Sequence, residues 1–252
     1  EFLQRMSHDI RTPINGIRGM IEIANYYKDD PDKQTECRKK IWDASGLLLE
    51  LVNEVLDMGK LESGEIMLEE REFDLKELLD SVGVVVDKQA RERGITIITD
   101  GYPVEHRCLL GSPLHLRRLL MNIISNAVKY NRVGGEIRLG CYEKPSADPE
   151  TAQIEFTCAD TGIGMSEEFQ RHGFEPVAQE RNTARSEYGG TGLGMPIAKS
   201  LAEKMGGTLS FVSRQGVGTT FTLSLPFRIC HAPEKRNKPK RLLQTSSIAG
   251  LH

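Results

Sequence analysis

Four groups of residues have the types and spacings that phosphate chemistry needs. The first is the string Ser7-His8-Asp9-Ile10-Arg11-Thr12-Pro13. His8 stands two positions from Ile10, which belongs to a helical apolar stripe, so its imidazole lies off the stripe and faces water. Neutral imidazole is a good nucleophile near neutral pH. Asp9 can accept a proton from one ring nitrogen and leave the other free to attack phosphorus. Thr12 lies one turn along on the same face and can position a water. Pro13 removes one backbone hydrogen bond and is expected to bend the helix just past the nucleophile. An isolated surface His-Asp pair is read as carrying no function; the full string with Pro13 shifts the balance toward one.

The second group lies late in a predicted helix. Asn122, Asn126, Lys129 and Tyr130 recur on one face, while Leu119, Leu120, Ile123 and Ile124 form the opposite one. The Asn126 amide oxygen can serve as one Mg²⁺ ligand, with phosphates and waters supplying the rest. Lys129 can neutralise phosphate charge. The third group, Asp160-Thr161-Gly162-Ile163-Gly164-Met165, directly follows a predicted strand. Asp160 can accept a hydrogen bond from an adenine amine, and the glycines let backbone approach the base. The fourth is Gly189-Gly190-Thr191-Gly192-Leu193-Gly194-Met195, opening a helix whose amides suit phosphate. A dinucleotide fold would need a buried strand before these glycines, and Arg185-Ser186-Glu187-Tyr188 is not one. No GxxxxGK[ST] string occurs, which excludes a P-loop. About twenty polar residues separate the last two groups, as a lid over nucleotide would, with Arg181 and Arg185 as candidate phosphate contacts.

These groups need a scaffold of two kinds. Met6, Ile10, Ile14, Ile17, Ile21 and Ala24 recur at steps of three and four, and so do Ile41, Ala44, Leu48, Leu51, Val55 and Met58. Two such helices, connected around residues 28–33 and ending near Leu61, form an antiparallel hairpin. Its core is too small to stand alone, so pairing with a second copy into a four-helix bundle is expected. Beyond it, strands are predicted at 66–71, 95–99, 107–110, 136–143, 153–159, 208–214 and 219–227. Helices are predicted at 74–91, 112–130 and 192–205, the first capped by Asp74 and the second carrying Pro113 in its first turn. Interleaving with hairpins makes this an α+β fold, a helical hairpin followed by an α/β sandwich.

Composition excludes several classes. The five cysteines are scattered without a CxxC, which argues against a zinc framework or disulfide scaffold and for a reducing compartment. No apolar run approaches the ~18 residues of a membrane span. The chain starts Glu-Phe-Leu, as a fragment would. Residues 228–252 hold six Lys/Arg against one Glu, while the whole chain is −3, so the remainder is acidic and would repel nucleic acid. Residues 229–252 read as a disordered basic tail or linker.

In this order the four groups resemble the sensor histidine kinases of two-component signalling. Residues 7–13 look like their phosphoacceptor box, residues 122–130 their asparagine box, and residues 160–165 and 189–195 their first two glycine boxes. Phe174-Glu175-Pro176 looks like their phenylalanine box, and Gly216-Val217-Gly218-Thr219 like the closing glycine turn. The resemblance covers roughly residues 2–227 and is similar in flavour to bacterial hybrid kinases. It implies a dimerisation and histidine-phosphotransfer hairpin at 1–64 and a Bergerat-type ATP-binding domain at 71–228. It implies His8 as phosphoacceptor, Asp9 as assisting base and Thr12 as a phosphatase-assisting residue. Asn126 would hold Mg²⁺, Asn122 and Lys129 would contact phosphates, and Asp160 would read adenine. Tyr130, Gly162, Gly164, Gly190, Thr191, Gly192, Leu193, Gly194 and Thr219 would complete the ATP site. It further implies a homodimer, a response regulator or receiver domain as partner, no membrane contact in this fragment and a cytoplasmic place. Two departures stand out: Val177 follows the phenylalanine box where an aromatic is usual, and Asn131-Arg132 replaces Thr-Pro at a position expected to tolerate change. The rival readings are a chaperone- or repair-type ATPase clamp, which leaves residues 7–13 unexplained, and a catalytically silent dimeric scaffold.

Overall fold

Alternation decides the centre of the molecule. In β5 (Thr151–Asp160) and β7 (Gly218–Ile229) every second residue is buried, from Ala152 to Cys158 and from Thr219 to Phe227. That is the pattern of antiparallel strands with one face on a core and one on solvent. The computed structural model describes residues 2–63, 65–174 and 193–230.

Two helices open the chain, α1 (Phe2–Tyr26) and α2 (Pro31–Glu62). The turn between them is shorter than the 28–33 expected, because Asp30-Pro31 starts a helix. The Asp30 carboxylate accepts from the Asp32 and Lys33 N–H groups at 3.1 and 3.0 Å, and Pro31 takes the first helical position. Gln34 closes the other side by donating to the Ala24 and Tyr27 carbonyls at the end of α1.

The rest is one seven-stranded sheet with helices on one face. It comprises β1 (Arg71–Asp74), α3 (Leu75–Glu92), β2 (Thr96–Thr99), β3 (Cys108–Gly111), α4 (Pro113–Lys129), β4 (Glu136–Lys144), β5, the short α5 (Glu167–Gln170), α6 (Gly194–Lys204), β6 (Thr208–Arg214) and β7. Strand order is β1-β3-β7-β5-β4-β2, with β6 also on β7. The β2–β4 pair is parallel and all others are antiparallel. Leu75 and Val86 of α3, Leu116 and Leu119 of α4, and Leu201 of α6 pack on Ile137, Ile154, Leu223 and Leu225 of the sheet, all fully buried. Each such side chain contributes roughly 1.5–3 kcal/mol. Asp74 caps α3 as expected, accepting from the Glu77 N–H at 2.9 Å.

Residues 66–71 are not the strand expected. Ile66 and Leu68 alternate because both pack on the core, but β3 ends at Gly111, the partner of Arg71, so nothing pairs the segment before it. A smaller cluster joins hairpin and sandwich: Met6 of α1, Leu193 and Ile197 are buried together, with Val55, Met58 and Ile66 against them.

Candidate phosphoacceptor and nucleotide site

The exposed face of α1 carries the first half of the site. The His8 side chain is 73% exposed, and its Nδ1 lies 3.2 Å from Asp9 Oδ1, with Asp9 much less exposed. With the proton on Nδ1 donated to that carboxylate, the Nε2 lone pair points into solvent. The Thr12 hydroxyl donates to the His8 carbonyl at 3.1 Å, fixing it one turn along while its lone pairs stay available. Pro13 is buried, and α1 runs through it; the carbonyl it deprives of a partner is that of Asp9.

The second half is built where α4, β5 and the β6–β7 turn meet. Asn122, Asn126, Lys129 and Tyr130 lie half-buried along the rim of α4, opposite the buried Leu119, Leu120, Ile123 and Ile124. The Asn122 amide donates to the Gly194 carbonyl at 3.3 Å, so the asparagine face abuts the first residue of α6. The Lys129 ammonium stands 5.1 Å from the Tyr130 ring centroid.

Asp160 ends β5, and its Oδ1 accepts from the Gly162 N–H at 2.8 Å and the Thr219 N–H at 3.2 Å. One carboxylate oxygen thus ties two loops together and leaves Oδ2 as an acceptor for a ligand amine. Burial pushes this carboxyl above its usual range, and the two backbone donors only partly offset that. The loop after it is clamped on both sides. Ile163 N–H donates to the Tyr130 carbonyl at 3.0 Å, and a Cβ on Gly162 would strike that same carbonyl. Gly164 has φ +63°, and a Cβ there would collide with the Arg214 carbonyl. Met165 N–H donates to Ser213 Oγ at 2.9 Å, and Ser213 bonds Thr219 Oγ1 at 2.8 Å.

Asn122, Tyr130, Asp160, Gly162, Gly164, Gly194 and Thr219 are therefore drawn into one region, and His8, Asp9 and Thr12 stand apart on α1. The Leu193 side chain is fully buried with Met6 and Ile197, so it joins the two halves, and only its backbone is left to meet a ligand. Gly190, Thr191, Gly192, Val177, Arg181, Arg185, the end of the phenylalanine box and the tail from 231 lie outside the described residues.

Sequence reasoning missed two residues. Ser213 locks the third group to the closing turn, and no motif marks it. Asn131 is 5% exposed, donates to the Glu136 carbonyl at 3.1 Å and accepts from the Arg132 N–H at 3.0 Å. It is a structural pin, contrary to the tolerance expected there. An amide right after a helix end was the available signal.

The donor set fits ATP and Mg²⁺: an amide oxygen at Asn126, an ammonium at Lys129, a half-buried acceptor at Asp160, and glycines whose missing Cβ atoms leave backbone close. Residues 111–229 match the family model of the histidine kinase-, DNA gyrase B- and HSP90-like ATPase, and residues 1–64 match that of the His Kinase A (phospho-acceptor) domain. The chain belongs to the sensor histidine kinases. A relative is the sensory/regulatory protein RpfC of Xanthomonas campestris pv. campestris, 37% identical over 231 residues, covering 90% of this chain and 31% of RpfC. This histidine kinase chain thus spans about a third of that relative's length. Full-length ShkA in complex with AMPPNP superposes with TM-score 0.66 at 30% identity, over 92% of this chain and 46% of ShkA. Histidine kinase ThkA in complex with the response regulator protein TrrA shares the fold, with TM-score 0.64 at 24% identity over 89% of this chain and 60% of ThkA. The hairpin-then-sandwich architecture is that of these kinases. Among the described residues no helix is long and apolar enough to cross a membrane.

Proposed function

We propose that the chain transfers the γ-phosphoryl group of ATP to its own His8 and relays it to an aspartate of a response regulator or receiver domain. The observation that carries this reading is the exposed His8, held by Asp9 through Nδ1, in the same chain as a region where Asn122 is tied to Gly194, and Asp160 to Gly162 and Thr219. His8 Nε2 attacks the γ-phosphorus in line with the leaving oxygen. A P–N bond forms, the bridging P–O bond breaks, and ADP leaves with the electron pair. Asp9 holds the Nδ1 proton and stabilises the positive charge that develops on the ring. Asp160 Oδ2 accepts from the adenine amine, and Lys129 and Asn122 meet phosphate oxygens. Mg²⁺, held by the Asn126 amide oxygen, supplies charge neutralisation at the phosphates. Thr12 positions a water for the phosphatase reaction, in which the water oxygen attacks phosphorus of the regulator's aspartyl phosphate, the acyl P–O bond breaks and inorganic phosphate leaves the free carboxylate behind.

Exposed Ile14, Ile21, Leu49 and Leu56 on the hairpin support a second copy of the chain completing a four-helix bundle. The partner class is carried over from ThkA's complex with its response regulator. A cytoplasmic place and a parent of the hybrid type follow from the same reading. An ATPase clamp remains a rival for the sandwich alone, and the match of residues 1–64 to a phosphoacceptor domain favours the kinase.

Incubation with γ-labelled ATP and Mg²⁺ tests the reading. Label that is acid-labile, alkali-stable and absent in His8→Gln is expected. ATP hydrolysis without labelled protein would overturn the kinase in favour of the clamp. Loss of both activities in a folded chain would leave a scaffold.

A further inference from the structure

At the far edge of the sheet, three neighbouring strands bring two thiols and a carboxylate together. Register places Leu109 opposite Ile229 and Leu110 opposite Arg228, and the Cys230 N–H donates to the Cys108 carbonyl at 3.0 Å, so Cys108 and Cys230 face each other across β3 and β7. Glu72 of β1 sits opposite Leu110, two residues from Cys108, and shares its face of the sheet. One donor atom from each of Glu72, Cys108 and Cys230 lies within 4.8 Å of the others. Asp74, directly across from Cys108, is occupied in capping α3, which leaves Glu72 as the acid of the group.

We propose that Glu72, Cys108 and Cys230 form a binding site for a thiophilic divalent cation such as Zn²⁺. Two facing thiols alone would point to a disulfide. The carboxylate converging on both sulfurs is what a disulfide does not use and a cation does. Tetrahedral zinc with Zn–S near 2.3 Å and Zn–O near 2.1 Å separates its donors by roughly 3.5–3.8 Å, so the three atoms need only a small inward movement. Binding releases the two thiol protons to solvent, forms two metal–sulfur bonds and one metal–oxygen bond, and leaves a fourth position for water. Soft thiolates select Zn²⁺ over the Mg²⁺ of the nucleotide site. The two sites are well separated, because β7 runs about 35 Å from Thr219 to Cys230.

Reduced chain is titrated with Zn²⁺ against a chromogenic chelator, and with Co²⁺ for its absorption spectrum. One tight equivalent is expected, with sulfur-to-cobalt charge-transfer bands and tetrahedral d–d bands. Cys108→Ser and Cys230→Ser should each weaken Zn²⁺ binding at least about 100-fold, the upper end of what losing even an outer-shell partner costs. Glu72→Gln should weaken it less while keeping the charge-transfer bands. Fluorescent ATP-analogue binding should be unchanged in all three, which reports an intact fold. Undiminished Zn²⁺ uptake in the double Ser variant overturns the site. So does a fully reduced chain that takes up no Zn²⁺ and forms a Cys108–Cys230 disulfide only once an oxidant is added.

Discussion

Leu223 and Leu225 in the sandwich are fully buried, whereas Leu49 and Leu56 in the hairpin are 62% and 56% exposed. Both regions follow a clean apolar period, two in the strands and three-to-four in the helices. They differ in whether the chain itself supplies the second surface. The sheet finds α3, α4 and α6 on its inner face. Apart from the small cluster where Met6 meets Leu193 and Ile197, each hairpin helix packs on its neighbour, with Cys37 and Leu51 buried and much of the apolar surface left outside. A regular hydrophobic pattern therefore reports that a face will be buried, not that one chain can bury it.

Separating the two regions gives the largest expected effect. A fragment of residues 65–230 should melt cooperatively at a Tm independent of concentration. A fragment of residues 1–64 should have a Tm that rises with concentration, as folding coupled to association requires. A concentration-independent hairpin would break the comparison. Next in size, Leu223→Ala should cost the sandwich about 2–5 kcal/mol in denaturant unfolding and leave sedimentation unchanged. Leu56→Ala should do the reverse, weakening the dimer and sparing the sandwich transition. Smaller and of opposite sign are two identical substitutions. Gly164→Ala, at φ +63° against the Arg214 carbonyl, should destabilise by about 1–3 kcal/mol. Gly46→Ala, in the middle of α2 with open space around it, should stabilise by about 0.5–1 kcal/mol.

The smallest shift in stability should come from Asp160→Asn, and it separates folding from function. Burial raises the Asp160 pKa in the folded chain. A carboxyl raised in this way contributes stability below its unfolded pKa, and that contribution is lost as pH rises through the folded value. At neutral pH the ionised group is thus a small liability. Asparagine keeps an oxygen for the Gly162 and Thr219 donors, so Tm should rise slightly above neutral pH. ATP-analogue fluorescence should disappear, because an amide N–H₂ faces the adenine amine. In the unsubstituted chain, nucleotide affinity should fall on acidification at a higher pH than for an ordinary carboxylate, as Asp160 protonates. A Tm that drops in Asp160→Asn would show the carboxylate to be structural.

Much of this was legible in residue order. The helices at 74–91 and 112–130 carried their own start signals at Asp74 and Pro113, and both hairpins of the sheet were bounded by turn residues. Errors arose where a local pattern had two physical sources. Ile66 and Leu68 alternate like a strand because they pack on the core, yet a strand also needs a partner edge, which only tertiary structure supplies. Pro31 falls inside the connection expected at 28–33 and is the first residue of a helix, since its missing N–H would be unpaired there anyway. The α5 turn was missed although Ser166 caps it, because four residues give no period to read. At the candidate site, motif positions were readable but mutual placement was not. Nothing local says that Leu193 turns toward Met6, or that Ser213 bridges Met165 and Thr219, across separations of many residues.

Strand β7 has a consequence for how the molecule is made. Among the described strands it alone connects the β1–β3 ribbon to the β5–β4–β2 set, and it also carries β6. It is the last of the described strands. During synthesis the ribbon, only marginally stable by itself, must wait for β7 to clear the ribosome before the sheet can close. The Thr219 N–H that helps hold Asp160 arrives with it. A nascent chain therefore displays His8 and the whole hairpin long before the Asp160 region is complete.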